Sequence, residues 1–135
     1  MTETTMNIRL ARNKDLRPIY ALILEATRRG KILKRSLEDI RRNIHHFWVV
    51  EENGQVIACC AIEIYNKKLA EIRSLVVHHG HEKKGIATGL ITHCLGVARK
   101  RRVYEVLAIT DRENLFRRQG FSEQLHGQKA LFLRH

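Results

Sequence analysis

The feature that most constrains the fold is a strand, a loop and a helix that follow one another within Leu69–Leu95. The β-branched and apolar residues at its start, among them Ile72 and 75–77, predict a strand. Apolar residues then recur at helical spacing from Ile86 to Ala98 and predict a helix with one apolar stripe. Since a crossover helix connects parallel strands, the next apolar run, 103–109, is expected to pair parallel to the first strand.

The loop between this strand and helix has the character of an anion site. Gly85, Ala87 and Gly89 leave little side chain around the helix start, and Lys83 and Lys84 add positive charge. A helix start presents unpaired N–H groups and the positive end of the dipole, so it can hold a phosphate. The pattern therefore predicts a phosphorylated cofactor. The alternative is a tight strand-to-helix connection with solvated lysines, since neither a dinucleotide fingerprint nor a Walker A loop is present.

The remaining pattern predicts an α/β domain with a mixed sheet. Asp15 and Ser36 are expected to cap two helices, and Asn53-Gly54 is a strong hairpin signal. A further short helix is expected around 113–119. Strands are predicted at 6–11, 47–50, 55–65, 69–77 and 103–109, with a terminal strand that includes Leu131-Phe132-Leu133.

Chain length predicts the number of domains, and net charge predicts the class of partner. The 135 residues predict one domain, 1–135, and the net charge of +11 favours anionic partners. The run Arg99–Arg102 falls where the central helix should end, and the helix dipole favours cations there. We therefore interpret this run first as a solvated helix end and second as a nucleic-acid patch, so that nucleic acid is a possible partner but not the favoured one.

Short sequence signals predict the cellular compartment, the state of the cysteines and whether a metal is bound. No apolar run approaches the ~18 residues of a membrane span, and the first residues do not resemble a signal peptide, so we expect a cytoplasmic protein without a membrane partner. The three cysteines lie in apolar stretches and are expected to be buried free thiols. The histidines of 78–81 lack a distant partner motif, so no metal is expected.

Several short motifs occur in a characteristic order across about residues 6 to 122. They are Arg9-Leu10-Ala11, Gly30 with Arg35-Ser36, Phe47-Trp48-Val49-Val50, Ala70-Glu71-Ile72-Arg73-Ser74-Leu75, Gly85-Ile86-Ala87 and Arg118-Gln119-Gly120-Phe121. Their order resembles the GNAT superfamily of acetyl-CoA-dependent N-acetyltransferases and, nearer still, the acetyltransferase domain of N-acetylglutamate synthase and its small stand-alone relatives. The resemblance implies a mixed, mostly antiparallel sheet that is splayed between two parallel central strands, with helices on both faces.

The resemblance also implies acetyl-CoA as co-substrate, with no metal. Its pantetheine arm is implied to bond to the backbone of Leu75, Val76 and Val77, much as an added strand pairs with an exposed edge. Its pyrophosphate is implied to lie on the backbone of Lys83, Lys84, Gly85, Ile86, Ala87 and Thr88. Glu82 stands where the family has Gln or Arg, and a carboxylate there opposes phosphate binding.

Transfer to an amine needs a base that takes the amine proton. The resemblance implies Glu71 for this role, acting directly or through water. The alternative is that Glu71 and Arg73, two apart on one strand and so on one face, form a surface ion pair. Phe116 occupies the place of the usual tyrosine acid, so the thiolate is expected to be protonated by water or to leave as it is.

The identity of the amine that accepts the acetyl group stays open. Arg35 matches an arginine of the synthase-like group that binds the substrate carboxylate, and the alternative is a solvated arginine before a helix cap. Asp111 stands where that group has a basic residue and would repel a second carboxylate. An amino acid such as glutamate, another small-molecule amine, and a peptide or protein amine are therefore all candidates. A non-catalytic CoA- or nucleic-acid-binding module is the alternative from another class, and a homodimer is a compatible assembly.

Overall fold

The computed structural model describes residues 6–30, 32, 34–82 and 85–135. Strands and helices alternate along this part of the chain much as the periodicity predicts. In chain order they are β1 (Ile8–Leu10), α1 (Leu16–Arg28), α2 (Leu37–Arg42), β2 (Phe47–Glu52), β3 (Gln55–Ile64), β4 (Leu69–Val77), α3 (Ile86–Lys100), β5 (Glu105–Ala108) and α4 (Glu113–Arg117).

The strands form one mixed sheet in the order β1-β2-β3-β4-β5. Every neighbouring pair is antiparallel except β4 and β5, which are parallel because α3 crosses over between them. The predicted hairpin at Asn53-Gly54 is present, and both residues adopt positive φ. The fold class expected from the sequence is confirmed.

Helices cover both faces of the sheet. The helices α1 and α2 bury Ile19, Ile23 and Ile40 against one face, where they meet Phe47. The stripe of α3 buries Leu90 and its neighbours against the other face, together with Phe116 of α4. The adjacent thiols of β3 point to opposite faces, as alternation along a strand requires. Cys59 belongs to the first core, while Cys60 and Cys94 belong to the second, and all three are free and buried.

The two predicted helix caps behave differently. The hydroxyl of Ser36 accepts a hydrogen bond from the backbone N–H of Asp39 at 3.0 Å, as an N-cap does. Asp15 precedes α1, but its side chain does not cap that helix. The carboxylate instead accepts from the backbone N–H of Arg12 at 2.7 Å and from both terminal nitrogens of Arg9 at 2.7 and 3.0 Å. Arg9 also donates to Glu51 at 3.0 Å, so this cluster ties β1 to β2 and to the start of α1.

The predicted terminal strand was wrong. Residues 129–135 form no strand, and Leu131, Phe132 and Leu133 are 88%, 73% and 83% exposed. Three apolar residues supply a strand-like pattern, but a strand also needs a partner edge for its backbone groups. The only pairing nearby, within the described residues, is an isolated bridge between Leu125 and Gln128. No helix in the described part of the chain is long and apolar enough to cross a membrane.

We predict that Asp15→Asn lowers the free energy of unfolding at neutral pH by about 2 kcal/mol or more, because it removes one partner of a nearly buried ion pair. The hydrogen bond from Arg9 holds the pKa of Asp15 below its ordinary value of 3.8. The stabilisation is therefore present above that value and is lost as the pH falls through the lower folded pKa. Urea unfolding at neutral pH and near pH 3 measures it.

The matched control is Asp111→Asn, which changes an exposed carboxylate that makes no ion pair within the described residues. A loss of stability in Asp15→Asn that is equal at the two pH values, or no larger than in Asp111→Asn, contradicts the assignment.

Candidate functional site

One edge of β4 is only partly used by the sheet. On one side β4 pairs with β3 from Ala70 to Val77, while on the other side its pairing with β5 ends at Ile72, opposite Ala108. Beyond that point no strand among the described residues pairs with Arg73–Val77 on the β5 side. The backbone groups along this stretch are therefore available to an extended ligand that adds to the sheet.

We call the unpaired side of Arg73–Val77 the free edge. A β-bulge at Ser74 bends β4 where the free edge begins. Ala61 pairs with Arg73 and Cys59 with Val76, so two residues of β4 stand opposite one residue of β3. Ser74 has φ of +56°, a conformation that costs a non-glycine residue of the order of 1 kcal/mol or more. The thiol of Cys59 donates to the carbonyl of Ser74 at 3.5 Å and helps to hold the bulge.

The register shows which backbone groups face outward. The N–H of His78 donates to the carbonyl of Ile57 at 2.8 Å. Because bonding groups alternate along an antiparallel strand, Val76 also bonds toward β3, whereas Leu75 and Val77 direct their N–H and C=O groups to the free edge. Of the three residues that the resemblance implies for pantetheine, Leu75 and Val77 are thus the two with open backbone groups.

A cleft of about 600 Å³ lies between α1 and the C-terminal end of β4. Its wall combines apolar side chains of α1 with charged and aromatic groups at the rim. The residues that line it are Pro18, Ala21, Leu22, Glu25, Ala26, Arg29, Ile32, Val56, Leu75, Val76, Val77, His78, His79, Glu82 and Arg112. The cleft thus contains the three predicted residues of β4 and opens beside the loop that leads to α3.

The start of α3 carries the glycine and small side chains on which the anion-site prediction depends. Gly85 has φ of +72°, the left-handed region that favours glycine, and lies at the N-cap. Ile86 and Ala87 are buried in the helix's first turn, and Thr88 is half-buried. Lys83 and Lys84 lie outside the described residues. Glu82 is exposed and lines the cleft, so its carboxylate does stand at the rim that phosphates would approach.

A polar cluster occupies the α1–α2 face of the sheet, at the level where β4 and β5 still pair. Glu71 and Glu63 are direct cross-strand partners. The hydroxyl of Tyr65 lies 2.5 Å from Glu71 Oε1 and 3.2 Å from Glu63 Oε2, so it is shared between the two carboxylates. Burial and then the hydrogen bond to Glu71 raise the pKa of Tyr65 above its ordinary value.

Arg73 does not bond directly to Glu71. Its Nη1 donates to both oxygens of Glu63, at 3.0 and 3.2 Å, and its side chain is 38% exposed. The simple ion pair between Glu71 and Arg73 that strand spacing allowed is thus replaced by a shared network. Strand geometry puts the Cα atoms of Glu71 and Leu75 roughly 13 Å apart at most, because the bulge at Ser74 bends the strand between them.

Arg35 lies under this network and is itself buried, with 5% of its surface exposed. Its Nε donates to Asp39 at 2.7 Å, its Nη1 to the hydroxyl of Ser74 at 3.0 Å and its Nη2 to Glu63 at 3.4 Å. The guanidinium also stands 5.4 Å from the ring centre of Phe47. Arg35 therefore connects the helix cap at α2 to the bulge of β4, and it is not the solvated arginine that the alternative required.

The other candidate groups lie outside this network. Phe116 is a core residue that packs edge-on against Phe121 at 5.2 Å. His78 and His79 stack at 4.4 Å on the loop after β4. Within the described ranges, no three His, Cys, Asp or Glu residues are grouped so that they could hold a metal ion.

Sequence reasoning missed Glu63, Tyr65 and Ser74. A signal for Glu63 was present, because it is a carboxylate inside the otherwise apolar run of β3, and such a group needs a partner when buried. The turn at 66–68 would have placed it opposite Glu71. Nothing in the local pattern marks the left-handed conformation of Ser74.

A family model described as "Acetyltransferase (GNAT) family" matches residues 13–126. An uncharacterised N-acetyltransferase of Chlorobaculum tepidum is 40% identical over 116 residues, which are 86% of this chain and 75% of that protein. The amino-acid acetyltransferase of Mycobacterium tuberculosis is 32% identical over 120 residues, which are 86% of this chain and 68% of that protein.

Among solved structures, this chain is similar to the N-acetylglutamate synthase of Neisseria gonorrhoeae, crystallised with coenzyme A and N-acetyl-glutamate. The TM-score is 0.83 and the identity 27%, and the match covers 90% of this chain but only 29% of that protein. The similarity therefore extends over nearly all of this chain and over a minor part of the longer enzyme.

The cluster makes a spectroscopic prediction. Since Glu71 is one cause of the raised pKa of Tyr65, Glu71→Gln is expected to lower the pKa of Tyr65 part of the way, while the contact with Glu63 remains. Titration of ¹³C-labelled tyrosine by NMR measures this, and Tyr65→Phe assigns the resonance. Glu105→Gln, an exposed glutamate of β5, is the control. A Tyr65 titration that is the same in wild type and Glu71→Gln contradicts the contact.

Proposed function

We propose that this chain, which belongs to the acetyltransferase (GNAT) family, moves the acetyl group of acetyl-CoA to the α-amine of an amino acid such as glutamate, by direct attack in a ternary complex. The observation that carries the proposal is the free edge of β4, which begins next to a cluster of two carboxylates and a tyrosine. The edge suits an extended cofactor arm, and the cluster suits removal of a proton from an amine.

The cofactor would lie along β4 and end at α3. Leu75 and Val77 would exchange backbone hydrogen bonds with the pantetheine amides, with Val76 between them. The pyrophosphate would lie on the backbone from Lys83 to Thr88, where the helix dipole and the two lysines attract it. Glu82 at the rim opposes this charge, so we expect weaker CoA binding than a Gln or Arg there would give.

Glu71 is the proposed base, acting directly or through a water molecule. The amine nitrogen forms a bond to the thioester carbonyl carbon as Glu71 takes its proton, and the carbon–sulfur bond then breaks. A backbone N–H of the 75–77 stretch would stabilise the oxyanion. The CoA thiolate would take its proton from water or leave as it is, because Phe116 offers no hydroxyl. Tyr65 would hold Glu71 in place through the 2.5 Å hydrogen bond.

Arg35 is the proposed group that binds the acceptor's carboxylate. Its contact with Glu63 at 3.4 Å is the longest of its three hydrogen bonds and so the one that a substrate carboxylate replaces most easily. The surrounding network holds two guanidinium groups and three carboxylates, those of Asp39, Glu63 and Glu71, which favours an amine acceptor. Asp111 near the end of β5 disfavours a second carboxylate, so the side chain of the acceptor needs a direct test.

The test is an acetylation assay with acetyl-CoA and a panel of acceptors: glutamate, glutamine, other amino acids, and short peptides with free N-termini or lysines. Release of the CoA thiol and the mass of the product are the readouts. We expect turnover on a free amino acid, and Glu71→Gln should lower kcat about a hundredfold or more because it removes the base. Glu105→Gln serves as the matched control and should keep wild-type rates.

Three results would contradict the proposal in whole or in part. Turnover on peptides but on no free amino acid would replace the acceptor class by protein amines. Absence of acetyl-CoA binding and of turnover with every acceptor would leave a non-catalytic module. Unchanged rates in Glu71→Gln would remove Glu71 from the mechanism while keeping the enzyme.

A further inference from the structure

The fold brings two separate basic segments of the sequence together at one end of the sheet. The turn before β4 carries Lys67 and Lys68, and the end of α3 carries Arg99–Arg102. The backbone N–H of Tyr104 donates to the carbonyl of Lys67 at 2.9 Å, and that of Glu105 donates to the carbonyl of Lys68 at 2.9 Å. These bonds fix the turn beside the helix end. We call the six cations the basic end.

The basic end is not neutralised by the protein. All six side chains are exposed, and none of them takes part in an ion pair within the described residues. Some arginines elsewhere, among them Arg9, Arg35 and Arg117, are by contrast paired with carboxylates. The dipole of α3 favours cations at its last turn, but it does not account for the lysines that the neighbouring turn adds. A surface with this much uncompensated charge attracts a polyanion.

A groove of about 450 Å³ runs beside the basic end, between α3 and β5. Arg99, Arg102 and Tyr104 line it, together with the apolar side chains of Leu95, Ala98, Val103 and Val106. Tyr104 is 75% exposed, an unusual degree of exposure for an aromatic side chain. The groove thus offers guanidinium groups for phosphates and a ring face for a base.

The basic end is separate from the proposed acetyl-transfer site. It lies where β4 and β5 begin, whereas the free edge and the cleft lie where β4 ends. Strand geometry puts the two ends of the nine-residue β4 roughly 26 Å apart. A ligand at the basic end therefore leaves the free edge of β4 uncovered, and the two sites can be occupied at the same time.

We propose that the basic end binds single-stranded nucleic acid, with phosphates on the cations and a base stacked on Tyr104. The carboxylates of an acidic peptide would satisfy the cations, but they have no flat aromatic face to stack on the exposed ring. Unpaired bases supply that group, and sequence-independent binders of single strands combine a basic groove with exposed aromatic rings. This inference does not depend on the acetyl-transfer proposal.

The test is fluorescence anisotropy with a labelled oligouridylate of about 12 nucleotides at rising KCl concentration. We expect affinity to fall steeply with salt. The slope of log association constant against log [KCl] should be about −3 if four phosphates are contacted. The double variant Arg99→Glu/Arg102→Glu should weaken binding more than about tenfold and make the slope shallower by about 1.4. Tyr104→Ala should weaken it about fivefold or more, and Tyr104→Phe should restore it.

The matched control is Lys129→Glu/Arg134→Glu, which makes the same change of charge at two exposed residues outside the basic end. Equal loss of affinity in the control and in the Arg99/Arg102 variant would show that net charge alone binds the probe and would overturn the site. So would binding that Tyr104→Ala leaves unchanged, or absence of binding at about 50 mM KCl. Circular dichroism of each variant confirms that a loss of affinity does not reflect unfolding.

Discussion

The backbone hydrogen bonding of β4 is the constraint on which the rest of the structure depends. This strand is bonded to β3 along most of its length but to β5 only at its first four residues. Helices on both faces hold the sheet, so the strand stays extended after its second partner has ended. The same pairing that completes the core therefore leaves one edge of β4 without a partner strand in the described part of the chain.

The polar network beneath this edge is the second constraint. Ser74 stays in the left-handed region because Arg35 holds its hydroxyl and Cys59 donates to its carbonyl. Arg35 in turn is held by Asp39, which the cap of α2 positions. The bulge, the buried guanidinium and the carboxylates around it thus form one connected unit. Such units specify geometry well because each unsatisfied member would be costly.

The sequence predicted those parts of the molecule that depend on local periodicity. The stripe of α3, the hairpin at Asn53-Gly54 and the parallel pairing of β5 follow from spacing and connection length, and the structure has them. The terminal strand at 131–133 failed because pairing needs a partner edge, which no local pattern supplies. The contact of Tyr65 with both Glu63 and Glu71 depends on the register of β3 against β4. The pattern of one strand does not contain that register, so the sequence pointed only to Glu71. The roles of Glu71 and Arg35 stay predictions.

We propose that the free edge of β4 receives coenzyme A. Residue-resolved hydrogen exchange by NMR, with and without coenzyme A, tests it most directly. We expect the amides of Leu75 and Val77 to exchange at least about tenfold more slowly when the cofactor is bound, while that of Val76, which already bonds toward β3, changes less. Unchanged exchange at Leu75 and Val77 in the presence of saturating coenzyme A would contradict the account.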